Sequence, residues 1–328
     1  MLREEVLALL RAQAGKPLSG EAMSRKLGVS RAAVWKAMEG LRQEGYVIAS
    51  APRLGYWLEE SPDRLSPGEL FQPGRRVGQE ILCLDTVDST NNELKRRAVE
   101  QVPDGLAVVA GCQTGGRGRR GRSFVSPAGK GLYLSVLLRP ACPLGEVPAL
   151  TAWSAVAVCD AIEEVCGVRP GIKWPNDVIL EGRKVCGILT ELELEAETAA
   201  LRYVVVGIGV NISQDAADFG PEVAPVAVSL SQALGQAPRR AEVARALLDS
   251  LDRLYAQFPR ERQRWLDRYR ADCLTVGRSV RVLMGAGERE GTALGVEADF
   301  SLRVAWKDGG EEVLSSGEVS VRGLLGYI

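Results

Sequence analysis

Histidine is absent from the 328-residue sequence, and this absence restricts the chemistry that the protein can perform. Without an imidazole, the sequence excludes the Ser–His–Asp and Cys–His arrangements of nucleophilic catalysis, and it excludes histidine-rich zinc sites. Any catalysis has to use the side chains of Lys, Arg, Asp and Glu, together with hydroxyl groups and backbone amides.

Cysteine pairs and long apolar runs are missing as well. The seven cysteines are scattered and never spaced as C-x-x-C, so we expect neither a disulfide framework nor metal-binding residues. No apolar run is long enough to cross a bilayer, and the first residues, MLREE, lack the apolar stretch of a secretory signal. We therefore expect a cytoplasmic protein without a membrane partner.

A large excess of charge is also missing, since the formal net charge is −1. The distribution is nevertheless uneven, because residues 1–58 carry nine basic and five acidic side chains. This N-terminal segment is net positive and the rest of the chain is net negative. The N-terminal segment is therefore the candidate for binding a polyanion such as DNA.

Residues 1–62 have the pattern of a winged helix-turn-helix domain. Apolar residues at helical spacing predict three helices, with Gly28 ending the second and Ser30 capping the third. Two short strands around Pro52 then form the wing. A helical bundle with an ordinary charged face is the alternative. The residues expected to contact DNA lie on the outer side of the third helix and at the wing tip: Ser30, Arg31, Ala32, Trp35, Lys36 and Arg53.

The remaining chain predicts a linker and two further domains, which gives an α+β fold class overall. Residues 59–68 are polar with two prolines, so we expect a linker whose flanking segments move partly independently. Residues 63–272 mix strands and helices, including one helical stretch over 239–270, and predict a domain with a large mixed sheet. Residues 273–328 contain short strands and predict a small β-barrel.

The stretch GGRGRRGRSF, residues 115–124, places four arginines among glycines. Strand-like segments precede and follow it, which disfavours a free RNA-binding tail. Glycines let backbone amides approach a ligand, and guanidinium groups suit carboxylate and phosphate oxygens. Two interpretations stay open at this point: an ordered anion-binding loop and a solvated basic loop.

Two other stretches carry polar motifs. In DSTNNE, residues 88–93, Thr90 and Glu93 have the spacing of a capping box, which predicts that Thr90 caps a helix beginning near Asn91; alternatively, this helix start holds a polar ligand. In KWPNDVILEGRKVCGIL, residues 173–189, a tight turn at 181–182 places Lys184 at the start of a return strand. Spacing does not decide whether Lys184 faces solvent or a pocket. The lone G-x-G of GIGVN, residues 207–211, is a weak nucleotide signal.

Together these motifs resemble those of the biotin protein ligases. With a winged helix in front, the chain resembles the bifunctional ligases that are also biotin operon repressors. The resemblance implies a central biotin- and ATP-binding ligase domain followed by a small SH3-like β-barrel. It also implies that biotin and ATP react, with Mg²⁺, to give biotinyl-5′-AMP, and that biotin then passes to a lysine of a biotin carboxyl carrier protein. The motifs that carry the resemblance are DSTN at 88–91, GRGRRGR at 116–122, KWPND at 173–177, RKVCGIL at 183–189 and GVN at 209–211.

The resemblance further implies roles for single residues. Lys184 is expected to face the carboxylate and the α-phosphate, Arg119 to retain the adenylate, and Asp177 to orient or deprotonate the acceptor amine. Where related enzymes carry a tryptophan that covers adenine, this chain has Phe124, a smaller ring that can still stack. The expected catalytic residues are Arg117, Arg119, Lys184 and Asp177. The expected biotin contacts are Ser89, Thr90, Asn91, Gln113, Arg117, Gly118, Arg119 and Lys184. The expected nucleotide contacts are Arg119, Arg122, Phe124, Asn176, Lys184 and Asn211.

In the repressor branch, the adenylate orders loops that favour a homodimer, and the homodimer binds two half-sites of operator DNA. The arginine loop is expected to be one such loop, because a bound anion removes the repulsion among its arginines. Three alternatives remain: a small-molecule-sensing winged-helix repressor without ligase activity, a ligase for another cofactor such as lipoate, and a ligase whose winged helix has no operator.

Overall fold

A computed structural model describes residues 2–100, 102–284, 287–315 and 320–323. None of its described helices combines the length and the apolar composition that crossing a bilayer requires. The domain boundaries drawn after residues 62 and 272 stay a prediction. The last five residues of the predicted barrel, 324–328, lie outside the described residues.

Three helices and a hairpin form the N-terminal segment, which confirms the predicted order of elements. Their bounds are α1 Leu2–Ala12, α2 Gly20–Leu27, α3 Arg31–Gln43, β1 Val47–Ala51 and β2 Gly55–Glu60. The Ser30 hydroxyl accepts a hydrogen bond from the Ala33 N–H and caps α3, and Gly28 ends α2 in the left-handed region with φ 67°. The apolar faces of these helices pack into a core of their own.

A seven-stranded sheet forms the centre of the molecule. Its strands are β3 Ile81–Leu84, β4 Ala107–Ala110, β5 Gly131–Leu138, β6 Gly171–Lys173, β7 Asp177–Leu180, β8 Arg183–Leu194 and β9 Leu201–Asn211. They lie in the order β3-β4-β5-β9-β8-β7-β6, and only the β3–β4 pair is parallel. The turn between β7 and β8 has positive φ at both Glu181 and Gly182, as the sequence predicted for a tight hairpin.

Helices cover the two faces of the sheet unequally. The short linking helix is α4 Pro67–Leu70, and the others are α5 Thr90–Ala98, α6 Val147–Cys166, α7 Ala216–Phe219, α8 Leu230–Leu234, α9 Arg240–Gln257 and α10 Arg262–Asp272. The large core joins α6, α9 and α10 to one face, whereas α5 packs against the other face in a smaller cluster. Strand alternation therefore places even-numbered residues of β5 and β9 in the large core and odd-numbered residues on the α5 side.

One predicted element is wrong. The single helical stretch expected over 239–270 is two helices, α9 and α10, separated at Phe258 and Pro259. A proline inside a helix removes one backbone hydrogen bond and clashes with the preceding turn, which explains the interruption.

The C-terminal segment is an antiparallel sheet. Its strands are β10 Ser279–Met284, β11 Gly287–Val296, β12 Leu302–Trp306, β13 Glu311–Leu314 and β14 Ser320–Gly323. They lie in the order β13-β12-β11-β10-β14, and within the described residues no pairing of the two edge strands closes this sheet into a barrel. The sheet packs on the central core, and the indole N–H of Trp174 donates to the Phe300 carbonyl at 2.8 Å.

The segment predicted to be a free linker is held by both of its neighbours. Glu4 of α1 accepts a hydrogen bond from the Gly68 N–H at 2.6 Å. Asp63 accepts from the backbone N–H and the Nε of Arg240, at 2.9 and 2.7 Å. The expectation of partly independent motion is therefore not supported, because these contacts join the winged helix to α9 through the linker itself.

Glu69 is the centre of this junction. Its side chain is fully buried, and its Oε2 lies 3.1 Å from Arg245 Nη1, 3.5 Å from Arg11 Nε and 3.8 Å from Arg239 Nη2. Burial, together with nearby Arg245, lowers the pKa of Arg11 to about 10 although Glu69 acts in the opposite direction. One carboxylate thus neutralises desolvated guanidinium groups from α1 and from the region of α9.

We expect Glu69→Gln to destabilise the protein by about 3 to 5 kcal/mol, because it leaves buried cations without their counter-charge. Differential scanning calorimetry measures this as a lower Tm than that of the wild type. Glu5→Gln, which neutralises an exposed carboxylate of α1, is the matched control and leaves Tm nearly unchanged. Equal Tm values for the two variants would contradict the proposed importance of the junction.

Candidate functional site

A cleft opens on the face of the sheet that carries α5. The start of α5, the arginine loop, the turn before β7 and the middle of strands β8 and β9 surround it. The expected site residues that line this cleft are Ser89, Thr90, Asn91, Gln113, Arg117, Gly118, Arg119, Phe124, Asn176 and Lys184.

Glycines on the two central strands form the floor of the cleft. A Cβ atom at Gly207 would lie 2.1 Å from Asn91 Oδ1, and a Cβ atom at Gly209 would lie 2.5 Å from the Phe124 ring. The missing side chains therefore allow Asn91 and Phe124 to lie directly on the backbone of β9. The sequence offered this signal in GIGVN, because two glycines spaced by two residues share one face of a strand.

The start of α5 corrects the predicted capping box. The helix begins at Thr90, one residue earlier than expected, and Ser89 occupies the N-cap position without a side-chain cap. The Thr90 hydroxyl contacts Gln113 Oε1 at 3.1 Å instead, and Glu93 pairs with Arg97 at 2.7 Å. The Thr90 hydroxyl thus contacts a side chain that is distant in sequence and not a backbone N–H of its own helix, and it lies in the wall of the cleft.

Hydroxyl and amide groups line this end of the cleft. Gln113 Oε1 accepts from the Thr90 N–H at 2.9 Å, and its Nε2 donates to Ser126 Oγ at 3.0 Å. On the other side of Thr90, the Ser135 hydroxyl lies 2.7 Å from Thr90 Oγ1 and 2.6 Å from Asn91 Oδ1. Such groups can both donate to and accept from an uncharged polar ligand.

Two cations mark the opposite end of the cleft: Lys184 Nζ lies 2.5 Å from Asp177 Oδ1, and Arg119 Nη1 donates to Asn176 Oδ1 at 3.0 Å. A third cation, Arg117, lies beside the start of α5, where its Nη1 donates to Asn92 Oδ1 at 3.1 Å and lies 3.3 Å from Glu191 Oε1. Spacing did not decide whether Lys184 faces solvent or a pocket; in the structure its side chain lines the cleft. Ammonium and guanidinium groups suit a carboxylate or a phosphate.

Burial strengthens the field of these cations. Desolvation lowers the pKa of Arg119, and the like charge of Arg120 lowers it further, against the effect of Asp177. A guanidinium remains protonated under such shifts, so its charge acts in surroundings of low dielectric constant. An anion that enters here meets a stronger attraction than it would at an exposed arginine.

The arginine loop is ordered and joins β4 to β5, which agrees with the interpretation that it is no free tail. The Gly118 N–H donates to the Arg122 carbonyl at 2.7 Å, and the Phe124 N–H donates to the Gly116 carbonyl at 2.9 Å. Arg120 has a positive φ of 58°. These bonds fold the loop back on itself over the cleft, with Arg119 turned inward.

Three expected site residues lie outside the lining of the cleft. Asp177 pairs with Lys184, which lines the cleft, while Arg122 is exposed on the loop and Asn211 is buried. The Asn211 side-chain amide donates to the carbonyls of Lys184 and Val228, at 3.3 and 3.2 Å. Its observed contacts therefore stabilise the backbone that carries Lys184.

Sequence reasoning missed Ser135 and Glu191. Each projects from a strand beside the cleft, but each lies more than forty residues in sequence from Asn91, the side chain that it contacts. Only strand register reveals such neighbours. The described residues contain no group of three His, Cys, Asp or Glu side chains placed to ligate a metal ion.

A second candidate surface is the outer side of the winged helix. Trp35 is 55% exposed on α3, and Ala32 and Lys36 are exposed beside it. Arg31 pairs with Glu21 at the surface. Arg53 occupies the tip of the wing with a positive φ of 67°. An exposed tryptophan among basic side chains on a recognition helix is consistent with an interface to DNA.

Comparisons with known proteins match one family over the region of the cleft and another over the winged helix. Residues 83–211 match the biotin/lipoate A/B protein ligase family, and residues 3–57 match a family described as an HTH domain. The bifunctional ligase/repressor BirA of Bacillus subtilis is 36% identical over 96% of this chain and 97% of its own, and that of Escherichia coli is 30% identical over 93% and 92%. The solved structure of the biotin protein ligase from Aquifex aeolicus in complex with biotin and ATP is 30% identical, covers 75% of this chain and 100% of its own, and has a TM-score of 0.63.

We expect Gly207→Ala to destabilise the protein by about 1 to 3 kcal/mol, because the new methyl group overlaps the buried Asn91 amide. A thermal scan measures this as a lower Tm. Gly295→Ala is the matched control, since Gly295 also lies in a strand but a Cβ atom there would meet open space. The close approach of Asn91 to β9 would be refuted by equal Tm values for the two variants.

Proposed function

The chain belongs to the BirA family of bifunctional ligase/repressors, and from this premise we propose how its residues divide the two activities. The protein is an ATP-dependent biotin protein ligase and a DNA-binding transcriptional repressor. One observation carries the assignment of the ligase site: Lys184 and Arg119 mark one end of a cleft whose other end carries hydroxyl and amide groups, with Arg117 also in its lining.

Biotin fits these two ends in one orientation. Its ureido ring has two N–H donors and one carbonyl acceptor, and the hydroxyls and amides at Ser89, Thr90, Asn91 and Gln113 offer the complementary groups. The valerate chain then runs over the glycine floor. Its carboxylate reaches the cationic end, with Gly118 leaving room for the backbone to approach.

In the first step, a carboxylate oxygen of biotin attacks the α-phosphorus of MgATP. The bond from the α-phosphorus to the bridging oxygen breaks, and pyrophosphate leaves with the electron pair. Two anions have to approach each other in this step, so the positive charges of Lys184, Arg117 and Arg119 lower the barrier by neutralising them. Mg²⁺ bound with the nucleotide would add to this neutralisation.

In the second step, the amine of the carrier lysine attacks the carbonyl carbon of biotinyl-5′-AMP, and AMP leaves. The mixed anhydride is already activated, so the protein mainly has to position an uncharged amine. Asp177 accepts the proton of that amine or orients it, and Lys184 holds Asp177 in place at 2.5 Å. Arg119, which lies inside the folded loop, retains the adenylate until the carrier arrives.

The nucleotide lies next to the arginine loop. Phe124 stacks on adenine from its place above Gly209, while Arg122 and Asn176 contact the phosphate and ribose side. Asn211 acts through the backbone, because its amide holds the Lys184 carbonyl. The C-terminal sheet, which we propose completes a small SH3-like barrel, covers the far side of the acceptor.

The repressor activity uses the winged helix. Ser30, Arg31, Ala32, Trp35 and Lys36 enter the major groove with the start of α3, and Arg53 of the wing binds phosphate. The adenylate favours a homodimer by binding among the loop arginines, and two winged helices then occupy two half-sites of operator DNA. We place these activities in the cytoplasm, where DNA, ATP and the carrier protein meet.

Pyrophosphate release tests the ligase assignment. Purified protein with MgATP is expected to release pyrophosphate when biotin is added and to transfer biotin to a carrier fragment. Lipoate is the relevant competitor, because the matched family also includes lipoate ligases. Release with lipoate but not with biotin would overturn the assignment of biotin as substrate, and release with neither would favour a sensor without ligase activity.

Lys184→Met is expected to lower the rate of adenylate formation about 100-fold or more, because it removes one charge that stabilises the developing oxyanions while keeping the length of the side chain. Single-turnover release of pyrophosphate measures this rate. Arg183→Met, at the adjacent position but outside the lining of the cleft, is the control and retains nearly the wild-type rate. An unchanged rate in Lys184→Met would refute the role of this ammonium group.

DNA recognition is tested by selecting duplexes from a random pool with the full chain, biotin and MgATP. We expect selection of a two-fold symmetric site, since a homodimer presents two recognition helices. Trp35→Ala is expected to weaken binding to that site about 10-fold or more, as the loss of a base contact does. Lys16→Ala, at an exposed turn between α1 and α2, changes binding little. Equal losses in both variants, or no selected site, would contradict this interface.

A further inference from the structure

The proposed function leaves one partly buried carboxylate beside the cleft without a role. Glu191 on β8 has a side chain that is 18% exposed. Its Oε2 accepts from Asn91 Nδ2 at 2.8 Å. Its Oε1 faces two cations, Lys95 Nζ at 2.5 Å and Arg117 Nη1 at 3.3 Å. Glu191 therefore links the Asn91 amide to two cations, Lys95 and Arg117.

The contacts of Asn91 fix the orientation of its amide. Its Nδ2 faces Glu191 Oε2 and also the Leu189 carbonyl at 3.3 Å, and both of these groups can only accept. The nitrogen must therefore point to Glu191, and the oxygen must point to Ser135, 2.6 Å away. Burial alone would raise the pKa of Glu191, but hydrogen bonds from Lys95 and Asn91 outweigh it and hold the pKa below its usual value. The carboxylate is thus ionised at neutral pH.

This orientation determines where the neighbouring hydroxyl protons point. Since Asn91 Oδ1 only accepts, the single proton of the Ser135 hydroxyl is donated to it. Thr90 then has one hydroxyl proton for two oxygens, Ser135 Oγ at 2.7 Å and Gln113 Oε1 at 3.1 Å, and the shorter contact takes it, so the Thr90 hydroxyl donates to Ser135. The lone pairs of Thr90 Oγ1 are left next to Gln113 Oε1, 3.1 Å away, which accepts from the Thr90 N–H. Two acceptor oxygens side by side call for an N–H donor from a ligand.

We propose that Glu191 is a positioning residue of the biotin site: by accepting from Asn91, it directs the hydroxyl protons of Ser135 and Thr90 away from the cleft, so that Thr90 Oγ1 and Gln113 Oε1 receive an N–H of the ureido ring. This role rests on the proposed function as a biotin ligase. It assigns recognition of the ureido donors to a chain of four side chains, of which Glu191 is the fixed end.

The charge of Glu191, and not only its shape, sets this direction. In Glu191→Gln the side-chain oxygen turns to Lys95 and Arg117, because an NH₂ group facing two cations is unfavourable. The NH₂ group then faces Asn91, whose amide has to reverse. The Asn91 nitrogen would donate to Ser135, Ser135 to Thr90, and Thr90 to Gln113, which consumes the acceptors that the ureido N–H needs.

Calorimetric titration of the full chain with biotin tests the proposal. Glu191→Gln is expected to weaken biotin binding about 10- to 100-fold, as the loss of a buried hydrogen bond does. In steady-state assays the KM for biotin rises accordingly. Glu193→Gln is the matched control, because Glu193 lies on the same strand and the same side but is exposed.

A biotin analogue methylated on both ureido nitrogens separates positioning from general disruption of the site. The wild type is expected to discriminate strongly against this analogue, because it has no N–H donor. Glu191→Gln loses most of that discrimination. If the variant weakens biotin and the analogue by the same factor, or weakens neither, the proposal is wrong.

Ser135→Ala provides an independent test that does not depend on the folding of Glu191→Gln. It removes the middle of the hydrogen-bonded chain and is expected to reduce the same discrimination. In the double variant, Glu191→Gln adds little to Ser135→Ala, because both act through one chain; additive effects would overturn the proposal. A wild-type protein that binds biotin while the variants behave like Glu193→Gln would refute the role of Glu191 alone. A wild type that does not bind biotin would refute the proposed function and this role with it.

Discussion

The ligase site depends on holding three cations in the wall of one cleft that is partly removed from water. Each of them contacts an oxygen of the protein: Lys184 that of Asp177, Arg119 that of Asn176, and Arg117 that of Glu191. Without such partners, desolvated like charges would repel each other and turn outward. The protein oxygens therefore keep the positive charges in place until an anionic substrate competes for them.

The central sheet makes this arrangement possible through strand register. Odd-numbered residues of β5 and β9, and those of β8 from Gly187 onward, face α5, and glycines at 187, 207 and 209 keep that face low enough for side chains from α5 and from the loop to lie on it. The opposite face is filled by α6 and α9, whose apolar side chains belong to the large core. Stability and ligand binding are thus assigned to opposite faces of one sheet, so a change on the cleft side can alter binding without removing the main core.

Much of this organisation could be predicted from the sequence, because it follows from local patterns. Helical spacing and caps gave the winged helix, and the turn at 181–182 placed Lys184 on a return strand. What could not be predicted depends on partners far away in the chain. Thr90 had the spacing of a capping residue, but its hydroxyl contacts Gln113, and the helix over 239–270 is interrupted where Pro259 removes a backbone donor. Ser135 and Glu191 carry no local motif, and only cross-strand pairing brings them to the cleft.

The buried junction around Glu69 has a geometric consequence for how two copies would read DNA. Arg11 belongs to α1 of the winged helix, whereas Arg239 and Arg245 lie at and within α9 of the central domain. The Glu69 carboxylate therefore holds the winged helix in a fixed position relative to the central domain. In a symmetric pair of chains, this fixed position would set a fixed distance between the two winged helices. The permitted number of base pairs between half-sites would then be a property of the junction as much as of the recognition helix, and a spacer altered by half a helical turn would place one winged helix on the wrong side of the duplex.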